Sequence, residues 1–553
     1  MNKFTSQKKP IICVGLLLLL FLLSNSLVQA QNTDLQEQLR LRLWALLDTS
    51  NTTKLVIESE QLHQKNDLKK FYEQRGYRPA WIEDYLVPIA AKQFSACTAR
   101  TDDNGLIPND YHYDALTQLI ALAEIGGTEV TVNNYIDLDI MLSDAFLLMA
   151  QHYAQGKVNP EDIGMAWHLS KKTFSAVDYF NRTLADGTPP CRSLEKLLPE
   201  NPNYKALQQA LRDYRTKSDW ANIKYTWSTL IQRGYADPLV AEVRNTLTQT
   251  GDLDNSNTDP LVFDRAVEQA VMRFQRRHGL YYDGVVRNTT LNAMNVSREE
   301  RIRQIKANLE RHRWMPEYLG DSYVTVNIPQ FELSVFDMGK LMYKEAVIVG
   351  RENYPTPSFS DSLQYIMFNP YWYLPKSIAK NELMPEIQLD PNYFINNGVK
   401  VIKGGKVIDS KKIDWKKANS DDYSFAQAAS AYNPMGVVKF MFPNPHDIYI
   451  HDTPSRELFD NSRRSFSHGC IRVKDPVKFA TFLLKGDAAW DSTRIKKVLF
   501  SQKETRANLP KPIPIHILYW TAFWDTDLGE LNFREDLYKW DDKLSKALET
   551  PLQ

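Results

Sequence analysis

Cysteine and histidine are scarce in this sequence, which has four Cys and ten His among 553 residues. It contains no Cys-x-x-Cys pair and no His-Glu-x-x-His segment, so we predict neither a bound metal nor any other cofactor. Charge of one sign is not in excess either, because 67 Lys and Arg balance 67 Asp and Glu. This balance removes the electrostatic case for a nucleic-acid partner.

Long hydrophobic runs are lacking after residue 30, and the one before it is short. Lys3, Lys8 and Lys9 precede an apolar run over 11–23, and Val28-Gln29-Ala30 has the small-x-small form of a cleavage site. This order predicts a secretory signal peptide over 1–30, since a bilayer span needs about 20 apolar residues. The alternative is an uncleaved anchor, and only then would the chain contact the membrane. In both cases we expect the protein to work outside the cytoplasm.

The rest of the chain has the composition of a large globular protein, with 43% hydrophobic and 11% aromatic residues. Its length predicts about three or four domains. Residues 31–250 have mostly helical periodicity, and Gly156 ends the clearest apolar stripe, formed by Leu138, Met141, Leu142, Ala145, Phe146 and Met149. The polar segment 251–260 is typical of a linker. We therefore predict a helical scaffold domain over 31–250.

Residues 260–297 resemble the small three-helix peptidoglycan-binding module. The resemblance rests on Phe274, Gln275, Gly279, Leu280, Asp283, Gly284, Val285, Thr290 and Leu291. It implies contact with the glycan of the bacterial cell wall. A helical spacer that no longer binds glycan is the alternative.

From about residue 322 the apolar period changes to two, which indicates β-strands. "YVTVNI", "FELSVFD" and "LMYKEAVIVG" fit strands, with a hairpin turn at Asp337-Met338-Gly339-Lys340. We predict a mostly β domain over 320–510 and a C-terminal β/helical extension over 511–553. Polar, helical and Gly-rich residues 376–431 interrupt the strands and are predicted to form an inserted lid. The fold class is therefore multidomain α+β.

The cysteines divide by position. Cys13 lies in the predicted signal, which leaves Cys97 and Cys191 in the N-terminal half and Cys470 as the odd thiol. In an oxidising compartment Cys97 and Cys191 are candidates for a disulfide, and two buried unpaired thiols are the alternative.

Strand alternation places four reactive side chains together. Ile448 and Ile450 share one face of "DIYIHD", and Tyr449 and His451 share the other; in "GCIRV", Cys470 and Arg472 lie opposite the aliphatic pair. The four side chains are therefore expected to emerge away from the core. A zinc site of His446, His451, His468 and Cys470 and an accidental packing of Cys470 are alternatives. A thiol nucleophile with an imidazole base explains more of the pattern.

The segment Ser467-His468-Gly469-Cys470-Ile471-Arg472-Val473, preceded by His451, resembles the signature of L,D-transpeptidases with a YkuD-type catalytic domain. The resemblance extends to 369–375, 433–444 and 448–454. With the preceding module and the closing "ILYWTAFWD", it resembles the long, multidomain periplasmic YcbB-like branch of Gram-negative bacteria. It is weaker over 31–250.

The resemblance implies a catalytic role for each residue of the motif. Cys470 would be the nucleophile and His451 the general base. Asp452 would orient the imidazole, more through its backbone carbonyl than through its carboxylate. The oxyanion hole would use the backbone amides of Gly469 and Cys470 with the Tyr449 hydroxyl.

Three more residues are implied in the site with less defined roles. His468 would orient groups in the loop before the nucleophile. Arg472 would hold either a substrate carboxylate or the local backbone. Trp372, in "NPYWYLP", is implied in substrate binding.

The implied reaction is acyl transfer in peptidoglycan biosynthesis, which would make the protein a transferase of cell wall biogenesis and cell shape. Cys470 would attack the carbonyl between the third residue and the terminal D-Ala of a tetrapeptide stem. D-Ala would leave, and the amine of a second stem would resolve the thioester to a 3→3 cross-link. Carbapenems are expected as covalent inhibitors. Alternatives are an L,D-carboxypeptidase, attachment of a protein to the wall, and a non-catalytic peptidoglycan-binding protein.

Overall fold

The computed structural model describes residues 33–552, apart from 46–54, 58, 84–85, 126–129, 170–171, 221, 255–258, 375, 377–378, 391 and 431–432. The predicted signal peptide and Cys13 lie outside the described residues. No helix in the described ranges is both long and apolar enough to cross a membrane.

The N-terminal half is helical and is built around one buried helix, Val132–Gln155. Thr131 and Asn134 form its capping box, and it ends at Gly156, as the apolar stripe predicts. Around it lie the hairpin Leu55–Ile57/Glu60–Leu62, a helix over 33–45, and the helices Lys65–Gln74, Ile89–Ala99, Tyr113–Ile125, Ala176–Ala185, Pro190–Glu195 and Pro202–Thr216. Short 3₁₀ turns at Arg100–Asn104 and Pro108–Tyr111 connect them.

This central helix is buried on all sides, including at acidic positions. The Asp139 carboxylate accepts hydrogen bonds from the backbone N–H groups of Ala80, Trp81 and Ile82 at 2.8–3.0 Å and from the Tyr72 hydroxyl at 2.6 Å. A buried carboxylate is tolerated because its acceptors are satisfied. It ties the 80–82 loop to the helix.

The three-helix module consists of Pro238–Thr250, Arg265–Arg277 and Asn288–Met294. Val243, Leu247 and Phe274 share its core, and Arg277 pairs with Asp252 at 2.5 Å in its interior. The helix that ends at residue 250 therefore belongs to this module, whereas the sequence assigned it to the scaffold. The predicted linker over 251–260 accordingly carries core contacts of the module, because its acidic residue neutralises a buried arginine.

A long helix, Arg298–Trp314, follows the module and packs between the two halves of the molecule. Arg313 pairs with Glu310 and Arg311 with Asp541, both at 2.5 Å, and both arginine side chains are fully buried.

Eight strands form a closed barrel in the C-terminal half. In chain order they are β1 Ser322–Asn327, β2 Glu332–Asp337, β3 Lys340–Gly350, β4 Ser358–Phe368, β5 Val438–Met441, β6 Ile450–His451, β7 Ile471–Val473 and β8 Thr505–Leu518. They pair in the order β5-β6-β7-β3-β2-β1-β8-β4, and β4 pairs again with β5. Val326, Leu333 and Ile450 are among the buried residues of the interior. The predicted hairpin turn at 337–340 is confirmed.

The remaining elements surround the barrel. Strand Ser465–Ser467 pairs with β3, and the helices Pro476–Leu483 and Ser492–Ser501 follow β7. A hairpin, Ala522–Asp525/Glu530–Phe533, and the helix Trp540–Glu549 end the chain. Since β8 runs from 505 to 518 between β1 and β4, the predicted boundary at 510/511 divides a central strand and is wrong. Prolines at 510, 512 and 514 conceal this strand in the sequence, and its register shifts there.

The scaffold joins the barrel sheet directly. Its short strand Trp167–His168 pairs in parallel with Ser358–Phe359 of β4. Buried residues of scaffold and barrel form one continuous apolar cluster. The scaffold is therefore fixed to the barrel by a shared sheet and a shared core.

The insertion between β4 and β5 is a small α/β unit with its own core. Its sheet has the order Lys406–Ile408, Val399–Lys403, Ser424–Gln427, Trp372–Tyr373. A π-helical turn, Ala379–Leu383, precedes the short helices Met384–Leu389 and Tyr393–Asn396. Phe394, Trp415 and Phe425 pack together at its centre.

Candidate active site

The site lies where β6 and β7 run parallel. Ile450 pairs with Ile471 and His451 with Arg472, and both isoleucines are fully buried. Laterally paired residues in a sheet point to the same face, and the face alternates along each strand. Tyr449, His451, Cys470 and Arg472 therefore share the outer face, as the alternation predicts.

Cys470 is held as a thiol by its surroundings. Its Sγ donates to the backbone carbonyl of Asp447 at 3.6 Å. Burial raises the pKa of the Cys470 thiol, and this outweighs the opposing effects of the Tyr449 backbone N–H and hydroxyl and of the nearby Lys439 charge. The nucleophile therefore needs a base.

His451 is the base that the geometry offers. It is buried, and its Nδ1 lies 2.5 Å from the carbonyl oxygen of Asp452, so Nδ1 carries the proton and Nε2 is the basic nitrogen. Burial, followed by the charges of Arg472 and Lys439, lowers the pKa of His451 to about 3. The imidazole is therefore neutral and able to accept a proton.

His451 and Cys470 are diagonal neighbours rather than a hydrogen-bonded pair. Because His451 pairs with Arg472, the residue beside Cys470 is Tyr449. Among the described residues no hydrogen bond joins the imidazole to the thiol, which instead faces Asp447. Catalytic hydrogen bonds often tighten only when substrate binds.

Asp452 acts on this site through two different groups. Its carbonyl orients His451, while its carboxylate accepts the backbone N–H groups of Val437 at 2.8 Å and Thr453 at 2.7 Å and pairs with Arg456. Gly436, at φ +60°, lies so close that a Cβ there would be 2.3 Å from the carboxylate. The carboxylate thus fixes the turn that enters β5.

The loop before the nucleophile is fixed by hydroxyl groups. Gly469 has φ +112°, its carbonyl accepts from Thr356 Oγ1 at 2.7 Å, and its N–H donates to Ser467 Oγ at 3.1 Å. The Cys470 N–H has no acceptor within the described part of the chain. Of the two backbone amides predicted as oxyanion donors, that of Cys470 is therefore free, and that of Gly469 is engaged.

His468 lies on the exposed side of this loop. Its Nε2 is 2.7 Å from an Arg351 guanidinium nitrogen, and its ring meets Tyr354 edge-on at 4.9 Å. These contacts tie the loop to the segment after β3.

Arg472 and Trp372 occupy different environments. Arg472 pairs with His451 across the sheet, and its buried Nε has no hydrogen-bond partner among the described residues. Trp372 lies half-buried in the insertion, paired with Gln427. No described contact brings Trp372 to Cys470.

Lys439 is a site residue that the sequence analysis missed. It pairs with His451 between β5 and β6, and its Nζ lies 3.6 Å from the centre of the Tyr449 ring. Burial lowers the pKa of Lys439, and the proximity of Cys470 opposes this. Lys439 and Arg472 therefore place two cations beside the thiol. The available signal in the sequence was the alternation Val438-Lys439-Phe440, which places Lys439 on the face opposite two buried apolar residues.

The alternative zinc ligands do not converge. His446 stacks on His168 at 4.4 Å, and His468 contacts Arg351. The described residues contain no group of three or more His, Cys, Asp or Glu that could hold a metal ion.

Comparison with known families agrees with this geometry. Residues 321–498 match the "L,D-transpeptidase catalytic domain" of the YkuD family, and residues 236–294 match a "Putative peptidoglycan binding domain". The chain carries a YkuD-type L,D-transpeptidase domain. Residues 66–211 match a family described as "Scaffold domain". The resemblance drawn from the sequence and the multidomain α+β class are thereby confirmed.

Among curated proteins, a "Putative L,D-transpeptidase" of Haemophilus influenzae is 34% identical over 255 residues, which are 46% of this chain. The match covers 51% of that relative, so the chain spans about half of its length. Among solved structures, the L,D-transpeptidase of Stackebrandtia nassauensis is 14% identical, with a TM-score of 0.22 over 53% of this chain and 97% of that one. That of Xylanimonas cellulosilytica is also 14% identical, with a TM-score of 0.17 over 53% and 100%.

Proposed function

We propose that this protein is a periplasmic L,D-transpeptidase that forms 3→3 cross-links in peptidoglycan through a Cys470 thioester. One observation carries the proposal. A half-buried thiol lies diagonal to a neutral imidazole, whose Nδ1 is fixed by the Asp452 carbonyl, inside a segment that matches this catalytic domain. The periplasmic location rests on the signal expected over 1–30.

Acylation begins with proton transfer. Rotation of the Cys470 side chain away from the Asp447 carbonyl brings Sγ towards His451 Nε2, which takes the thiol proton. The sulfur attacks the carbonyl carbon between the third residue and the terminal D-Ala of a tetrapeptide stem. The oxyanion faces the free Cys470 N–H and the Tyr449 hydroxyl. The imidazolium then protonates the leaving amine of D-Ala, and a thioester remains.

The charges around the thiol favour this acylation. Lys439 and Arg472 both lower the pKa of Cys470 and so stabilise the thiolate. The same two charges disfavour the imidazolium form of His451. His451 would therefore pass its proton on soon after accepting it. The carbonyls of Asp452 and Pro434 act in the opposite direction and support the charged ring.

The second half of the reaction transfers the acyl group to an amine. The side-chain amine of a second stem attacks the thioester, loses its proton to His451, and releases Cys470 with a new amide bond. The insertion, with its own folded core, is proposed to exclude water from this step. Water as acceptor would give an L,D-carboxypeptidase, and a protein amine would give attachment to the wall. We further propose that carbapenems acylate Cys470 as mimics of the donor.

Mass spectrometry of the products from purified disaccharide-tetrapeptide tests the proposal. A cross-linked dimer with release of D-Ala supports transpeptidation. A tripeptide product would replace it by carboxypeptidation, and unchanged substrate would favour a binding protein. Cys470→Ala should abolish any product, and Phe500→Ala, at a 90% exposed position outside the site, is the control.

A further inference from the structure

A cavity away from Cys470 lies on the outer face of the barrel, over β1 and β2. It has a volume of about 430 Å³ and is bordered by residues 315–320, by the outward side chains of β1 and β2, and by the hairpin Ala522–Asp525/Glu530–Phe533. Val324 and Leu333 face the barrel core, so Tyr323 and Glu332 face the cavity. None of its lining residues belongs to β5, β6 or β7, which carry the active site. We name it the hairpin groove.

The hairpin groove presents several aromatic rings. Tyr318 is 68% exposed, Tyr323 stacks on Phe336 at 5.1 Å, and Trp520 and Trp524 are half-buried. Aromatic rings with a polar edge suit ligands that have both an apolar face and polar groups. A pyranose ring has this character, because its axial C–H groups form an apolar face and its hydroxyls lie at the rim.

Polar groups between the rings match the rim of such a ligand. Glu332 accepts from Gln330 Nε2 at 3.0 Å and from Ser334 Oγ at 3.3 Å, which arrays amide, carboxylate and hydroxyl groups along β2. Four carboxylates border the groove, from Glu317, Glu332, Asp525 and Asp527, against one cation, Lys344. This negative charge favours a neutral, hydroxyl-rich ligand over a stem peptide that carries carboxylates.

Buried polar atoms at the wall of the hairpin groove have no partner. His312 is 2% exposed, and neither of its ring nitrogens has a hydrogen-bond partner among the described residues. The Nε1 of Trp520, which stacks on His312 at 5.0 Å, is likewise unpartnered there. Since buried polar groups are nearly always satisfied, a donor–acceptor pair at a cavity wall points to a polar ligand or its bridging water.

The hairpin groove and the three-helix module border the same hairpin. The hairpin that places Trp524 and Asp525 at the groove also carries Glu530, which pairs with Arg276 of the module at 3.1 Å. Just after it, Arg534 donates to the Arg277 carbonyl at 2.9 Å. A polymer that lies on the module could therefore follow the hairpin to the groove.

We propose that the hairpin groove binds the sugar backbone of the glycan strand, a neutral N-acetylated saccharide chain. The proposal rests on the proposed function, because it assumes that the substrate polymer is peptidoglycan. It assigns stem peptides to the active site and the saccharide to a separate face of the barrel.

The test is the binding of the N-acetylglucosamine tetramer to the full chain by titration calorimetry. Tyr318→Ala and Trp524→Ala should each raise the Kd at least fivefold, and Phe500→Ala, which removes a 90% exposed ring from a different helix, should not. A Kd that neither groove substitution changes, or no heat up to millimolar tetramer, would overturn the proposal. Displacement of the tetramer by free tetrapeptide would do so too, because it would indicate a peptide site.

A second readout separates this inference from the proposed function. The two groove variants should be acylated at Cys470 by a carbapenem, which carries no sugar, at the parental rate but should cross-link intact sacculi more slowly. Equal rates on sacculi would contradict the inference while leaving the chemistry at Cys470 intact. Conversely, an inactive parent protein whose tetramer binding still depends on Tyr318 would refute the proposed reaction and support the groove.

Discussion

His451 pairs with Arg472 across the two parallel strands, so Cys470 lies one step back and faces Tyr449 instead. The diagonal arrangement keeps base and nucleophile on one face without a hydrogen bond between them. It also places a permanent charge opposite the base, which helps to keep the imidazole neutral. A buried neutral base beside a half-buried, protonated thiol limits unwanted reactions of the thiolate until a substrate enters.

This pairing predicts an unusual pH profile. The pKa of His451 is lowered to about 3 and that of Cys470 is raised. The imidazole therefore stays neutral and the thiol stays protonated from about pH 5 to 8. The rate of acylation by a carbapenem should be nearly constant over this range and rise above it as the thiol ionises. Stopped-flow measurements from pH 5 to 9 check this. A drop in rate below pH 6.5, the ordinary pKa of His, would contradict the neutral-base assignment.

Substitutions should separate the role of His451 as the base from the role of the Asp452 carboxylate in stability. His451→Ala should slow acylation by about 10²–10⁴, the scale for loss of a general base. Asp452→Asn keeps the backbone carbonyl that orients the ring, so acylation should fall less than about tenfold. It loses charge towards Arg456, so the free energy of unfolding should fall by about 1–3 kcal/mol. His468→Ala is the control, and a larger effect of that variant than of His451→Ala would exchange the two roles.

Lys439 should tune the nucleophile without contacting the leaving group. The charge of Lys439 lowers the pKa of Cys470, so Lys439→Met should raise that pKa. The alkaline rise of acylation should then move to higher pH by about one unit. Lys439→Arg should restore the profile. Lys478→Met removes a lysine that similarly covers Tyr343 outside the site, at 5.4 Å, and should leave the profile unchanged. An unshifted profile for Lys439→Met would assign it a purely structural role.

The reach of the sequence can be judged from these same residues. Alternation in two short segments was enough to place four side chains on one face, those of Tyr449, His451, Cys470 and Arg472. Ile450 and Ile471 must face the core, so their neighbours along each strand face away from it. Lys439 and Asp447 were not predicted. Lys439 reaches the site by pairing with His451 on a neighbouring strand, and Asp447 reaches it through a turn that brings its carbonyl to Cys470. Sequence patterns do not record which strand lies beside which.

Buried charged residues illustrate a second limit. The helix Arg298–Trp314 has only a narrow apolar stripe, Ile302, Ile305 and Leu309, because buried arginines with acidic partners occupy the neighbouring buried positions. Asp139 and Asp252 likewise look like surface residues in the sequence, yet each satisfies buried donors. Hydrophobic periodicity is informative only where burial is achieved by apolar side chains.

Cys97 and Cys191 are free thiols in the structure; the Cys97 thiol donates to the Cys191 sulfur, and the Cys191 thiol donates to the Gln93 carbonyl at 3.4 Å. The hydrogen bond from the Cys97 thiol lowers the pKa of Cys191. This favours oxidation of the pair in the compartment expected for the protein. We predict one free thiol, Cys470, in denatured, unreduced protein. The bridge should stabilise the scaffold by about 3–5 kcal/mol, which Cys191→Ser would remove. Three free thiols would show that the pair stays reduced.

The insertion offers the clearest test of how water is excluded. Tyr373 pairs with Ala426 in antiparallel fashion at its base, so residues 374–425 can be replaced by Asn-Gly, which closes a two-residue hairpin. If the insertion positions the acceptor and excludes water, this variant should still be acylated by carbapenems, while the ratio of tripeptide to cross-linked dimer rises. Val407→Ser, at an exposed position of the intact insertion, should keep the parental ratio. Equal loss of acylation and cross-linking would instead show that the insertion supports the barrel.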